Sequence, residues 1–378
     1  MQEQETPDVN SDKPAYRVGL IGCGRKGHGH ARGYVGNPHT ELVAAADSDT
    51  DNLDIFTQRF GVTGYADYHE MLSSERLDIA APILPVQPNP QVVVDCAGAG
   101  VQAIYCEKPM AVTLAESDEM VEACRSRGIH LAAGDAYRNM PHHWKVKALI
   151  DAGELGDVQT INLYQGTGEI SGGGCQGLSV LRLFADDADV DWVTGWCSGD
   201  PASDHDQGMG GHIRFANGID ASISHKRSAL EGIEVVCSKA VYHTNWGSGH
   251  LWRGEANGPL AEDESVFEEF GGTAGWMEPS GSRQRGGMES IVDALDHNKE
   301  PRCSGDNMRK VLEIAVGLRE SHRQGFAPIR FPIEDRSLGI VPNESRLLNK
   351  KQVMGEERYA KQIQSAASQP IGGAQVDG

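Results

Sequence analysis

The stretch YRVGLIGCGRKGHG, residues 16–29, constrains the fold of this chain more than any other part of the sequence. It joins an apolar run to the pattern G-x-G-x-x-G at Gly22, Gly24 and Gly27. The first glycine permits a tight turn, the second lets the backbone approach a pyrophosphate, and the third lets the next helix pack closely on the strand. The N-terminus of that helix would present free N–H groups to phosphates. The pattern therefore predicts a strand, a turn and a helix that bind a dinucleotide.

A second apolar run, residues 41–46, ends in Asp47, which lies 20 residues beyond Gly27. An acid at this distance is typical of the residue that binds the ribose hydroxyls of the adenosine. A carboxylate repels a 2′-phosphate, so we expect NAD, with NADP as the less favoured cofactor. Arg25 and Lys26 could either meet a phosphate or be solvated turn residues. The predicted cofactor-binding residues of this region are Gly22, Cys23, Gly24, Arg25, Lys26, Gly27, Asp47 and Ser48.

The rest of the chain divides by its pattern of apolar runs. At 378 residues it is long enough for two domains. Apolar runs alternate with helical patterns over 15–135, which predicts a Rossmann domain with a doubly wound parallel sheet. Strand-like runs then follow one another over 136–334, which predicts an α+β domain with a large, mainly antiparallel sheet. Residues 1–14 are expected to be disordered, and 335–378 read as a C-terminal arm or tail.

The composition argues against some classes of binding partner. The formal charge of −20 and the pI near 5.1 argue against nucleic acid or an anionic membrane. Eight cysteines without a C-x-x-C pair favour reduced, buried thiols in the cytoplasm. No leader-like N-terminal pattern and no long apolar run is present, and no cluster of residues predicts a metal site.

Five motifs in order along the chain resemble the glucose–fructose oxidoreductase / inositol dehydrogenase / MocA (Gfo/Idh/MocA) family. The glycine turn is followed by His30, and Glu107-Lys108-Pro109 is similar to the E-K-P motif of that family. The remaining matches are Leu77-Asp78-Ile79 with Pro85 and Asn89-Pro90, then Gly134, Arg138 and Pro141 with 147–156, and finally Phe215-Ala216-Asn217-Gly218.

The resemblance implies a Rossmann domain followed by an open-faced sheet domain, with late helices that pack back on the Rossmann domain. It also implies a homodimer or homotetramer formed through that sheet. Family substrates are usually sugars or cyclitols, with hydride exchanged at a ring carbinol. The resemblance adds Leu84, Pro85, Asn89, Glu107 and Lys108 to the expected cofactor-binding residues, and it suggests a cis bond before Pro109.

Lys108 is the predicted catalytic residue. It follows an apolar run that ends at Cys106, so it should lie at the carboxyl edge of the parallel sheet, where ligands bind. An ammonium group there can hydrogen-bond both the reacting hydroxyl and the nicotinamide ribose. The alternative is a surface lysine that happens to follow a strand.

The sequence departs from the family at residues 171–183. Most family dehydrogenases carry an Asp and a His four residues apart there, and this chain has neither. Gln176 and Ser179 are the predicted substrate-binding replacements, together with Arg138. A glutamine can hydrogen-bond a hydroxyl but does not take its proton. Tyr137 and His205 are therefore candidate acid–base residues, although Lys108 alone is a further possibility.

Three functions remain open from the sequence. The first is an NAD-dependent oxidoreductase that acts on a ring carbinol of a sugar or cyclitol. The second is a redox-neutral, NAD-dependent enzyme that cleaves glycosides by oxidation, elimination, hydration and reduction. The third is a non-catalytic NAD-binding protein.

Overall fold

The computed structural model describes residues 14–134, 136–165, 168–226, 228–255, 257–270 and 285–371. The segment predicted to be disordered, 1–14, therefore lies outside the described residues except for its last residue. No helix in these ranges is both long and apolar enough to cross a membrane. The eight cysteines are all buried, and none of them forms a disulfide bond.

Strands and helices alternate through the N-terminal domain. They are β1 (Tyr16–Ile21), α1 (Arg25–Val35), β2 (Thr40–Ala46), α2 (Thr50–Phe60), β3 (Thr63–Tyr65), α3 (Tyr68–Ser74), β4 (Ile79–Pro82), α4 (Asn89–Gly98), β5 (Ala103–Cys106), α5 (Leu114–Arg125) and β6 (His130–Ala133). The six strands form one parallel sheet in the order β3-β2-β1-β4-β5-β6. The strand order reverses between β1 and β4, and this is where an open α/β sheet forms its ligand crevice.

The glycine turn has the geometry that its sequence predicts. Gly22 follows β1 with φ of +101°, and a Cβ there would lie 2.6 Å from the carbonyl oxygen of Ile83. A Cβ on Gly27 would lie 2.0 Å from the carbonyl oxygen of Gly22, so only glycine lets α1 start this close to the turn. The predicted strand–turn–helix is confirmed.

The second domain is built on a large sheet. Its elements are α6 (Pro141–Asp151), β7 (Val158–Tyr164), α7 (Gly174–Phe184), β8 (Val190–Cys197), β9 (Met209–Phe215), β10 (Asp220–Ser224), β11 (Gly232–Cys237), β12 (Ala240–Thr244), β13 (Gly249–Arg253), β14 (Ala261–Glu262), a 3₁₀ helix (Glu264–Phe270), α8 (Arg285–His297), α9 (Gly305–Arg323) and β15 (Ile329–Arg330).

Nine strands pair in the order β14-β13-β12-β11-β7-β10-β9-β8-β15. β7 and β10 are parallel neighbours, and the other neighbouring strands are antiparallel. α7 and α9 cover this sheet, while α8 packs against α1, β5 and β6 of the first domain. The predicted fold class, a Rossmann domain followed by a mainly antiparallel α+β domain, is confirmed.

Three further helices follow the second domain: α10 (Glu344–Leu347), α11 (Lys350–Met354) and α12 (Glu356–Ala367). We call residues 343–369 the C-terminal strap. α12 packs on α1 and α2, so the strap folds back onto the Rossmann domain of its own chain. The sequence predicted only an arm or tail from 335 onward, because the segment is rich in charged and small polar residues.

Candidate active site

A cleft of about 760 Å³ opens along the carboxyl ends of the parallel strands. Its walls include the residues that directly follow β1, β2, β4 and β5, namely Gly22, Asp47, Ile83 and Glu107. Most predicted cofactor-binding residues line it: Gly22, Gly24, Arg25, Lys26, Gly27, Asp47, Ser48, Leu84, Pro85, Glu107 and Lys108.

Cys23 and Asn89, also predicted to bind the cofactor, are buried beside the cleft instead of lining it. The backbone N–H of Cys23 donates to Asp47 Oδ2 at 2.7 Å. Asn89 Nδ2 donates to the carbonyl oxygens of Glu107 at 3.3 Å and Met110 at 3.0 Å. Both side chains are buried in the protein interior, where Cys23 and Asn89 help to position the residues that line the cleft.

Asp47 stands where β2 ends and holds the glycine turn. Besides the Cys23 amide, it accepts the backbone N–H of Asp49 through Oδ1 at 2.9 Å. Burial raises the pKa of Asp47, and these two amide hydrogen bonds offset part of that rise. The carboxylate lines the cleft with lone pairs left over, as a ribose-binding acid requires.

Glu107 is an ionised carboxylate in the floor of the cleft. His30 Nε2 lies 2.9 Å from Glu107 Oε1, and Lys26 Nζ lies 3.9 Å from the same oxygen. Burial acts to raise the pKa of Glu107, but the His30 hydrogen bond and the charges of Lys26 and Lys108 outweigh it and lower the pKa to about 2. Five cationic residues line the cleft around this carboxylate: Arg25, Lys26, Lys108, Arg346 and Lys350. A site with that excess of positive charge fits the phosphates of a dinucleotide.

Lys108 lies at the end of the cleft that faces the second domain. The bond between Lys108 and Pro109 is cis, as the family resemblance suggested. Lys108 Nζ donates to the carbonyl oxygen of Gly172 at 3.1 Å, which brings the E-K-P motif against the loop that leads into α7. The lysine is thus positioned at the junction of the two domains.

The Gly172 loop is itself held by Asp206, which sequence reasoning missed. Asp206 is buried and accepts the backbone N–H groups of Ile170 at 2.8 Å, Ser171 at 3.0 Å and Gly172 at 2.9 Å. The Ser171 hydroxyl donates to it as well, at 2.7 Å. Burial raises the pKa of Asp206, and these bonds counteract the rise.

Residues 16–135 match the family model described as "Oxidoreductase family, NAD-binding Rossmann fold", GFO_IDH_MocA. The N-terminal third of the chain is therefore similar to the Gfo/Idh/MocA oxidoreductases. The predicted NAD-binding Rossmann domain, and its resemblance to that family, are confirmed over these residues.

Curated relatives of this family align with the N-terminal part of the chain. D-apiose dehydrogenase of Paraburkholderia graminis is 35% identical over 143 residues, which are 37% of this chain and 38% of that protein. Myo-inositol 2-dehydrogenase of Thermotoga maritima is 28% identical over 148 residues, 39% of this chain and 44% of that protein. The matches span less than half the length of these relatives.

A likeness over both domains comes from solved structures. An inositol dehydrogenase homolog from Azotobacter vinelandii, complexed with NADH and myo-inositol, superposes with a TM-score of 0.70. That match covers 85% of this chain and all of the other at 14% identity, so it shows a shared fold.

Two of the predicted substrate-binding residues are buried and bonded within the interior. Arg138 is buried, donates to the carbonyl oxygen of Ser179 at 2.7 Å and pairs with Asp187. Ser179 is fully buried, and its hydroxyl accepts from Asn307 Nδ2 at 2.8 Å. Neither side chain is placed to meet a substrate in this structure, because Ser179 bonds to Asn307 of α9 and Arg138 bonds to the backbone of α7 and to Asp187 beyond its end.

The other predicted polar residues have mixed outcomes. Gln176 is half-buried, and its Oε1 accepts the backbone N–H of Ala136 at 3.3 Å. Tyr137 stacks on Trp246 with ring centroids 4.7 Å apart. His205 is exposed outside the cleft lining, and its backbone forms a bridge with Val341. The carboxylate next to it, Asp206, is the one that reaches the site.

Sequence reasoning also missed the contribution of the C-terminal strap to this site. Ser345, Arg346, Leu347, Leu348, Asn349, Lys350, Gln352 and Tyr359 all line the cleft. Arg346 additionally pairs with Glu169, three residues before Gly172, at 2.9 Å. No sequence motif predicts that these residues line the cleft, because this depends on where the strap packs in the folded protein.

Proposed function

We propose that this protein is an NAD-dependent oxidoreductase that exchanges a hydride with a ring carbinol of a sugar or cyclitol. The observation that carries the proposal is the position of Lys108. Its ammonium group lies at the end of the dinucleotide cleft and against the Gly172 loop of the second domain.

The residues present fit a dinucleotide along the whole cleft. Asp47 would hold the adenosine ribose and disfavour a 2′-phosphate, which supports NAD over NADP. The N-terminus of α1 and the surrounding lysines would hold the pyrophosphate. When bound, NAD would supply the hydride acceptor for the reaction.

Lys108 would bind and deprotonate the substrate hydroxyl. An ammonium group has three donors, and one is used by the carbonyl oxygen of Gly172. The remaining hydrogens can bind the oxygen of a carbinol that enters between the two domains, and the neutral amine can accept the hydroxyl proton. Gln176 and Tyr137 follow the Gly172 loop and β6 closely in the chain, and we infer that they contact the sugar ring.

The substrate class is supported by the named activities of the relatives, which include D-apiose dehydrogenase, myo-inositol 2-dehydrogenase and glucose-6-phosphate 3-dehydrogenase. The redox-neutral cleavage of glycosides has no specific observation in its favour. A purely NAD-binding role would leave the Lys108 contact without a use. We further infer a homo-oligomer formed through the nine-stranded sheet and a cytoplasmic location.

The test replaces Lys108 with Met, which keeps the length of the side chain and removes the proton-transfer group. Purified protein is incubated with NAD and a panel of sugars, cyclitols and aryl glycosides, while NADH formation and aglycone release are both followed. We expect NADH formation without aglycone release, and a loss of kcat of about 10²–10⁴-fold in K108M. NADH binding, measured by fluorescence titration, should stay within about threefold.

The matched control is Lys145→Met, an exposed lysine on α6 that pairs with Glu269. It should leave kcat unchanged. Retained turnover in K108M would refute the role of Lys108, and aglycone release without net NADH would favour the redox-neutral alternative.

A further inference from the structure

The C-terminal strap follows the cleft from one end to the other. At the Lys108 end, Arg346 pairs with Glu169 through its side chain, and its carbonyl oxygen accepts the backbone N–H of Val86 at 2.9 Å. At the opposite end, the hydroxyl of Tyr359 accepts from Asn52 Nδ2 at 2.9 Å. Arg59 on α2 donates to the carbonyl oxygens of the last strap residues, Ala366 and Gln369.

Two adjacent lysines of the strap have different surroundings. Lys351 Nζ pairs with Asp49 Oδ2 at 3.0 Å, and that carboxylate and the neighbouring acids raise the pKa of Lys351. This lysine is an anchor between the strap and the N-cap residue of α2.

The charges around Lys350 are mainly positive, in contrast to those around Lys351. Lys350 is half-buried and lines the cleft, and within the described residues it forms no ion pair with an acid. Burial lowers the pKa of Lys350, and the nearby charges of Arg25, Lys26 and Arg346 lower it further, against a smaller opposing effect from Glu107. A positively charged side chain that lines a cleft beside other positive charges is typical of a site that binds an anion.

The position of Lys350 identifies the anion. Its charged neighbours Arg25 and Lys26 belong to the glycine turn, whereas Asp47 and Asp49 at the adenosine end lie beside Tyr359 and Lys351. A dinucleotide that follows the cleft from Asp47 to Lys108 places its pyrophosphate at the glycine turn.

We propose that Lys350 binds the pyrophosphate of the dinucleotide, so that the C-terminal strap closes over the cofactor as part of its binding site. The inference rests on the dinucleotide cleft of the proposed function. It adds that the strap slows release of the cofactor, because the cofactor stabilises the docked strap and the docked strap stabilises the cofactor to the same extent.

The experiment compares wild type, Lys350→Ala and Lys350→Met for binding of NADH, ADP-ribose and adenosine. We expect both variants to bind NADH and ADP-ribose about tenfold or more weakly, as loss of one charge-assisted phosphate contact implies. Adenosine, which carries no phosphate, should compete with NADH equally well in all three proteins. Release of NADH, followed by stopped-flow fluorescence, should become faster by a similar factor.

The matched control is Lys361→Ala, which removes an exposed lysine of α12 that pairs with Glu357 along its own helix. It should leave every binding constant unchanged. Circular dichroism and a thermal melt check that each variant is folded.

Other outcomes overturn the inference in distinct ways. Unchanged ADP-ribose binding in both Lys350 variants would show that the pyrophosphate does not use this lysine. An equal loss of adenosine and ADP-ribose binding would show a structural effect on the strap. Weaker binding of a sugar phosphate alone would assign Lys350 to the substrate. If wild type binds neither NADH nor ADP-ribose, the proposed function itself fails.

Discussion

Asp47 illustrates how one side chain can both shape a turn and select a ligand. Its two oxygens accept the amides of Cys23 and Asp49, and this fixes the glycine turn relative to the start of α2. The same carboxylate faces the cleft, where its charge would meet either ribose hydroxyls or a 2′-phosphate. We therefore expect the identity of this residue to control the choice between NAD and NADP more directly than any neighbouring cation does.

We predict that Asp47→Asn reduces the preference for NAD. The amide oxygen still accepts one backbone N–H, but the negative charge that repels a 2′-phosphate is gone. The ratio of the dissociation constants for NADPH and NADH should fall by about tenfold, which corresponds to about 1.4 kcal/mol. Fluorescence titration of both cofactors measures this ratio. Asp51→Asn, which removes an exposed charge from the first turn of α2, is the control, and an unchanged ratio in D47N would contradict the role of Asp47.

At the scale of elements, the loop before α7 depends on one buried carboxylate. Asp206 satisfies three successive backbone amides of residues 170–172, and the last of these residues supplies the carbonyl oxygen that holds Lys108. The ion pair between Arg346 and Glu169 braces the same loop from the strap.

We predict that Asp206→Ala loosens this loop and misplaces Lys108. Unpaired buried amides cost about 1–3 kcal/mol each, so the free energy of unfolding should fall by about 3 kcal/mol or more. kcat should fall more than NADH affinity does, because the cleft beside α1 is untouched. Chemical denaturation and steady-state kinetics measure the two effects. Asp206→Asn keeps one acceptor and should lie between wild type and D206A; equal losses of kcat and of NADH affinity would contradict a loop-specific role.

The sequence predicted helices and strands well where the local pattern of apolar residues matches the way the element packs in the folded protein. Apolar runs predicted the strands of the parallel sheet, because strands that are buried on both faces must be apolar. α12 carries a usable signal in the spacing of its buried residues Tyr359, Ile363 and Ala366, yet its polar surroundings read as a tail.

Only the part of the site that is formed by sequence motifs could be predicted. The glycine turn, Asp47 and Lys108 lie at strand ends, so their convergence follows from the topology of a parallel sheet. Arg138 and Ser179 were predicted to bind substrate because the sequence alone does not distinguish a polar residue that is bonded in the interior from one that binds a sugar. Lys350 and Asp206 act through contacts distant in the chain, which no local pattern encodes.

At the scale of the whole molecule, buried histidines connect folding to pH. Burial lowers the pKa of His28 to about 4, with Arg59 and Arg32 contributing, and burial lowers the pKa of His143 to about 3, with Arg138 contributing. An unfolded histidine titrates near pH 6.5. Between these values the unfolded chain binds protons that the folded chain does not, so the folded state loses stability as the pH falls from about 6.5 towards 4.

We predict that His28→Phe flattens this pH dependence. Wild type should lose about 2 kcal/mol between pH 7 and pH 5 through His28 alone, and the variant should not show this part of the loss. The phenyl ring can pack against Phe56 and Phe60, which already contact the imidazole. Urea denaturation at several pH values measures the slope. His39→Gln, at a partly exposed histidine, is the control, and an unchanged slope in H28F would refute the assignment.

The docking of the C-terminal strap has a consequence for biosynthesis. The Rossmann domain leaves the ribosome early, but one wall of its cleft is made by residues 343–369, which are translated more than 200 residues after β6. The nascent domain can fold around its sheet while its cleft still lacks that wall. If the strap binds the cofactor as proposed, firm capture of the dinucleotide waits for synthesis of α12, and a nascent chain that stops before the strap would hold its cofactor weakly.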